Sequence, residues 1–239
     1  MDEARIEHVG KCLLIRNKKE KILVIGDLHL GYENTLSAGG VFVKRFLLTQ
    51  TLADLSNILK ECGRIDEVVL LGDIKHNFGS VLKQEWTEID EVVSFLKEGG
   101  RKIILVKGNH DVLVGGVGKR LNFEIVDYYI KKGVAFIHGN KDFDEIWDKK
   151  IETVILGHMH PAVTIEDGAK REKYKCFLEG KYLGKEIIVL PSFTEINKGS
   201  DPRDFEKIPW KINFNKFNVF VVDDDMKVYS FGLLKDFSN

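Results

Sequence analysis

The chain has 239 residues, 44% hydrophobic and 31% charged, with a formal net charge of −1. That is ample for a sizeable core and ordinary for a soluble globular protein, read here as a single domain over residues 1–239. The near-neutral charge argues against a standing electrostatic nucleic-acid binder, and no apolar run approaches the roughly 20 residues of a membrane span.

The polar, acidic start MDEARIEHVG lacks the basic n-region and apolar core of a signal peptide. Cys12, Cys62 and Cys176 are odd in number and far apart, and match no metal-binding spacing. Reduced structural thiols and a cytoplasmic location are the expectation.

Residues 11–16 (KCLLIR) and 22–25 (ILVI) flank the polar stretch 17–21 and read as a β-hairpin. Asp27 and His29 follow Gly26 at the end of the second strand. Extended chain would point i and i+2 to the same side. The stretch 31–46 reads as a loop leading into a short helix. Leu52, Leu55, Ile58 and Leu59 have helical spacing within 49–62, and Gly63 supplies the stop. Residues 67–73 (EVVLLGD) are a second strand ending in Gly-Asp, 84–97 a second amphipathic helix, and 102–111 (KIILVKGNHD) a third strand. VAFIHG (134–139) is a fourth and TVILGHMH (153–160) a fifth, with a short helix near 144–150 between them.

Strand–helix alternation over the first 110 residues predicts a parallel α/β core. From Pro161 onward the chain is rich in hairpin patterns, including 218–232 with a DDDM turn. These predict a second, more antiparallel sheet packed on the first. Residues 192–210 read as a long irregular loop, of the kind that is often functional.

The strand ends collect Asp27, His29, Asp73, Asn109, His110, His138, His158 and His160. Five of the seven histidines are in this set, and His76 lies three residues past Asp73. Open α/β sheets place ligands at such strand ends. The set is nitrogen and oxygen without thiolate, which suits Mn²⁺, Fe, Ni²⁺ or Zn²⁺ better than a closed structural zinc site. It is too large for one tetrahedral ion. It suits two divalent ions about 3.5–4 Å apart that share a carboxylate and act on a phosphoryl centre.

The motifs Asp27-Leu28-His29, Gly72-Asp73, Gly108-Asn109-His110-Asp111, His138 and Gly157-His158-Met159-His160 resemble, in order and spacing, those of calcineurin-like metallophosphoesterases. Within that family the chain is most similar to small archaeal phosphoesterases related to the SbcD/Mre11 nucleases. The resemblance covers residues 22–160. It implies an αββα fold, in which a two-sheet sandwich is flanked by helices. It also implies hydrolysis of phosphodiester bonds by a metal-bridging hydroxide, in an enzyme that is a nuclease linked to DNA repair in its narrowest form.

By the same resemblance, Asp27, His29 and His160 would hold one metal and Asn109, His138 and His158 the other, with Asp73 bridging. Mn²⁺ is the first choice of metal. His110 would act as general acid, oriented by a hydrogen bond to Asp111, and His76, in a GDxxH pattern, would contact the scissile phosphate. Lys75, Lys44 and Arg45 are read as solvated charges within reach of phosphate. A phosphodiester is the expected partner, nucleic acid or nucleotide included, and a homodimer stays open. Alternative readings are a cyclic-nucleotide phosphodiesterase, a phosphomonoesterase, or a non-catalytic scaffold on this fold, as in the retromer subunit that resembles these enzymes.

Overall fold

A computed structural model describes residues 4–33, 46–79, 81–168, 170–205 and 208–237. The short helix expected within 31–46 falls largely on 34–45, outside the described residues, as do Lys44 and Arg45.

Three strands open the chain: β1 (Arg5–Val9), β2 (Cys12–Arg16) and β3 (Lys21–Ile25). The β2–β3 hairpin is the predicted one. β1 pairs antiparallel with β2 and was not visible as a strand, because RIEHV shows no clean alternation. Helix α1 (Leu47–Cys62) leads to β4 (Glu67–Leu70), and α2 (Lys83–Lys97) to β5 (Lys102–Val106). β3, β4, β5 and β6 (Glu124–Val126) pair parallel, completing a six-stranded sheet in the order β1-β2-β3-β4-β5-β6.

Helix α3 (Gly115–Leu121), β6 and β7 (Tyr129–Lys131) escaped the sequence reading. α3 carries three glycines, which are poor helix formers, and the two strands have three residues each.

The second sheet has eight strands: β7, β8 (Val134–Ile137), β9 (Thr153–Leu156), β10 (Ala162–Asp167), β11 (Lys170–Tyr182), β12 (Lys185–Val189), β13 (Asn218–Val222) and β14 (Val228–Leu233). Its order is β14-β13-β11-β12-β9-β8-β7, with β10 on β11. It is mixed. β8, β9 and β12 run parallel, while the predicted hairpins, the β11–β13 pair and the unpredicted β7 on β8 supply the antiparallel part.

The central strands are buried on both faces, which explains their unbroken apolar runs. On β3, Ile22 and Val24 face the core between the sheets with Val69, Phe136 and Ile155. Leu23 and Ile25 face the other way, onto Leu55, Ile58, Val92 and Leu96 of the helices. The outer face of the second sheet is covered by turns carrying Ile146, Trp210, Phe214 and Phe217. The predicted two-sheet sandwich is therefore the observed fold. Among the described residues no helix is long and apolar enough to cross a membrane. All three cysteines are buried and unpaired.

Candidate metal centre

The apolar strands stop early, and the polar residues beyond them turn inward. β3 ends at Ile25, so Asp27 and His29 are not on extended chain as the i, i+2 reading assumed. Both have left-handed backbone, at φ 51° and 47°. The segment is pinned to the end of β4 by Asp27 N to Gly72 O (3.3 Å) and His29 N to Asp73 O (2.9 Å). The two side chains do converge, through these turns rather than through strand periodicity.

Among the described residues three groups form, and the donor atoms of each lie within 4.8 Å of one another: two contain a carboxylate, Asp27, His29 and His160 in the first and Asp73, His138 and His158 in the second, and a third, His29, His76 and His110, is all imidazole. In the first, His160 Nε2 is 3.0 Å from Asp27 Oδ1 and 3.4 Å from His29 Nε2. In the second, His138 Nε2 is 3.4 Å from Asp73 Oδ2 and 3.1 Å from Asn109 Oδ1. Asp73 Oδ2 also lies 3.9 Å from His29 Nε2, so this carboxylate sits between the clusters.

Three glycines make the approach of these strand ends possible. A Cβ at Gly157 would fall 2.6 Å from Asp27 Oδ2. One at Gly72 would collide with the His138 ring, and one at Gly108 with the Asp73 carboxylate.

Electrostatics prepare His29 and His158 as neutral ligands and act on His138 in the opposite sense. Burial pushes His29 down to about 3, and burial with the neighbouring His138 pushes His158 down to about 4. His138 is the exception. Burial opposes its protonation, but the Asp73 and Asp27 carboxylates raise it to about 9. Burial likewise works against ionising Asp27 and Asp73, and the surrounding histidines nevertheless hold both below the usual carboxylate range. The His138 Nδ1–H donates to Leu71 O (2.9 Å), which fixes its tautomer and leaves Nε2 for the site.

His110 lies at the rim. Its backbone N–H donates to Asp73 Oδ1 (2.9 Å), and its Nε2 is 3.8 Å from Asp73 Oδ2. The ring is oriented by its Nδ1–H donating to the carbonyl of His76. The expected bond from Asp111 is not what orients it. Asp111 Oδ1 accepts from Ile74 N (3.0 Å) and Oδ2 from Gly108 N (2.9 Å), so this carboxyl ties the loop after β5 to the loop after β4. Burial, with the nearby charge of Asp73, raises Asp111 to about 6.

The His76 ring lies 5.5 Å from that of His29 and 5.6 Å from that of His110, and its Nδ1 is buried without a hydrogen-bond partner. Burial and His110 push it down to about 4. Lys75 is not a solvated charge. It is fully buried, and its ammonium donates to the carbonyls of Asn77 and Gly79.

The long loop after β12 is the part of the site that sequence reasoning left without a role. Phe193 N donates to Gly26 O (2.9 Å), Thr194 N to Asp27 O (3.3 Å) and Ser200 N to His160 O (2.9 Å). It therefore straps the backbones of two residues of the first cluster. Buried Lys175 on β11 holds the strap through Ser192 O (3.0 Å), Ser192 Oγ (2.6 Å) and Asn197 O (2.7 Å). The sequence signals were the length of the irregular stretch 192–210 and the break from the apolar run 187–190 into Pro-Ser, neither of which names a role.

A family model for calcineurin-like phosphoesterases matches residues 20–212. The chain belongs to that family. Among solved structures it is similar to the nuclease MPE of Pseudomonas putida, at 18% identity and a TM-score of 0.63 over 96% of this chain and 100% of that one. It is also similar to a protein of unknown function, AQ665 of Aquifex aeolicus, with 24% identity, a TM-score of 0.39 and coverage of 58% and 78% respectively. A Vps29 single mutant from Entamoeba histolytica gives 17% identity and a TM-score of 0.39 over 88% and 99%. No curated protein matches the chain.

Proposed function

We propose that the protein is a phosphodiesterase using two divalent cations, Mn²⁺ first among them, and that nucleic acid is among its substrates. The observation that carries this reading is the pair of His/carboxylate clusters joined through Asp73. The donor set fits such ions. It is all nitrogen and oxygen, and the two buried carboxylates each lie within 4 Å of imidazoles of both clusters.

Asp27, His29 and His160 would hold one cation and Asn109, His138 and His158 the other, with Asp73 shared. When bound, the cations supply Lewis-acid polarisation of the phosphoryl oxygens and a lowered pKa for water.

The remaining work falls to the protein. With Nδ1–H committed to the His76 carbonyl, His110 presents Nε2 to the site. Protonated there, it gives its proton to the departing alkoxide oxygen, and it needs no covalent intermediate to do so. The His76 ring, with a buried unsatisfied nitrogen beside His29 and His110, is suited to a phosphate oxygen. Asp111 keeps the loops of Asp73 and His110 in register. The GDxxH pattern and the likeness to a Pseudomonas putida nuclease both support a polynucleotide substrate of the kind that SbcD/Mre11 enzymes cut.

The test is hydrolysis of bis(p-nitrophenyl) phosphate by metal-stripped protein given Mn²⁺, Ni²⁺, Co²⁺ or Zn²⁺. Failure with all four refutes the reading. A panel of single-stranded and duplex DNA, RNA, cyclic nucleotides and phosphomonoesters under one metal then ranks the substrates.

A further inference from the structure

Phe78 is the least expected side chain at the rim. It is 59% exposed, yet its ring lies on that of His110, with centroids 3.6 Å apart and planes 33° from parallel. An exposed phenylalanine in a polar stretch (Asn77-Phe78-Gly79) would ordinarily move freely. Here the backbone on both sides of it is fixed. The buried Lys75 ammonium grips the carbonyls of Asn77 and Gly79, the residues immediately before and after. The Asn77 N–H donates to Glu85 Oε1 (2.8 Å), itself fully buried, and the Gly79 N–H to Asn77 Oδ1 (3.0 Å).

Burying a lysine is costly unless it is well partnered. The cost is met here in a turn whose outward product is one exposed aromatic ring. Tyr32 stands nearby, with its ring 4.2 Å from that of His76, and Val112 and Leu113 are exposed on the loop just beyond His110.

We propose that Phe78 is a stacking platform for a nucleobase of a single-stranded polynucleotide, and so a specificity-determining residue. This rests on the phosphodiesterase reading above. If His110 protonates the departing oxygen, the leaving nucleoside exits beside His110, and its base comes within reach of the Phe78 ring. Every base has a π-face, so the contact favours nucleic acid over other diesters without selecting a sequence. The site has no need of a broad basic surface to bind in this way, which suits a chain of net charge −1.

The experiment compares cleavage of hexathymidylate with that of a hexamer of the same phosphodiester backbone in which every residue is an abasic tetrahydrofuran. The wild type prefers the base-bearing strand. In F78A that preference, as a ratio of kcat/KM values, falls about tenfold, the scale of one base–aromatic stack. F78W keeps it. A ratio unchanged in F78A, with both strands slowed alike, overturns the proposal and makes Phe78 only a support for His110. Bis(p-nitrophenyl) phosphate separates the two readings. A wild type that cleaves it but treats both hexamers equally loses the stacking proposal alone. If it cleaves no diester, the phosphodiesterase reading fails. Fluorescence anisotropy with the labelled hexamers then decides stacking by itself: equal affinities for the two strands overturn it, and a preference lost in F78A supports it.

Discussion

Replacing Gly157 by alanine puts a methyl group where the two sheets bring their strand ends together. The new Cβ lies 2.6 Å from Asp27 Oδ2 and 3.3 Å from Leu71 O, on a backbone that is not left-handed. Relief to normal van der Waals contact requires a displacement of about 0.8 Å, and misplacement on that scale costs on the order of 10²-fold in rate. Asp27 has nowhere to retreat. It is fully buried, 3.0 Å from His160 Nε2, and accepts the His158 N–H at 3.1 Å. Gly157→Ala is therefore expected to lose about 10²-fold in kcat/KM on bis(p-nitrophenyl) phosphate and to weaken one of two Mn²⁺ sites in a calorimetric titration. Gly26→Ala is the control at the neighbouring strand end. Its Cβ would meet nothing nearer than 3.7 Å, and its backbone is not left-handed. It should bind two Mn²⁺ and keep its rate within about threefold, since volume-tolerant changes cost little. Two full-affinity Mn²⁺ sites and normal turnover in Gly157→Ala, or equal damage in Gly26→Ala, would refute the steric reasoning.

Other consequences can be measured with the same assays. His110→Gln should lower kcat by about 10²–10⁴-fold, the range of general-acid catalysis, while still taking up two Mn²⁺. Loss of a metal with the activity would instead make His110 a ligand. In the metal-free protein His138 stays protonated up to about 9, so a cation must displace that proton. Mn²⁺ affinity should rise with pH between 7 and 9, with proton release seen as a buffer-dependent heat, and a flat profile would contradict this. Lys175→Met strands two carbonyls and a hydroxyl, and should cost about 2–4 kcal/mol in urea melts and weaken the Mn²⁺ site of Asp27, His29 and His160. Burial, with the charge of Lys11 nearby, lowers Lys175 to about 7 from 10.5. The unfolded chain therefore holds the proton between those values while the native state does not. The wild type should gain stability over Lys175→Met as pH rises from 7 toward 10, and lose that gain as pH falls back through 7.

The parts of the site visible in the sequence were those attached to apolar runs. Ile22–Ile25, Val68–Leu71, Ile103–Val106 and Val154–Leu156 are buried on both faces, so their hydrophobicity marks them, and a polar residue just after each stands out. The bridging place of Asp73 and the role of His110 were implied by the family resemblance, not by that pattern. What could not be read depends on backbone groups. His110 is oriented by a carbonyl of His76, Asp111 serves two amides, and the strap of 192–200 acts through the N–H groups of Phe193, Thr194 and Ser200. Every residue has these groups, so no composition or spacing reports them. Lys75 and Phe78 were misleading in a complementary way. The charged side chain is fully buried and the apolar one exposed, the reverse of what residue type suggests, because the turn between them fixes the ring at the site.

The left-handed backbone at the site has a geometric reason. Asp27, His29, Asp73, His158 and His160 all have φ between 46° and 66°, a region that costs a non-glycine residue about 1–3 kcal/mol. On β3, β4 and β9 successive side chains alternate between the core under the helices and the core between the sheets, or between that core and the outer face of the second sheet. Continued past the strand ends, the same alternation would send both donors of each pair into an apolar layer, Asp27 and His29 with Leu23 and Ile25 under the helices and His158 and His160 with Val154 and Leu156 on the outer face of the second sheet. A left-handed residue breaks the alternation, so that both Asp27 and His29, and both His158 and His160, face the gap where the two sheets meet. The conformation is held from outside each segment, by His29 N on Asp73 O, Gly157 N on His138 O, and the His158 N–H on the Asp27 carboxylate. Each strand end is thus kept in a costly shape by another strand end. The donors come from both sheets, so the site can exist only once the sandwich has closed.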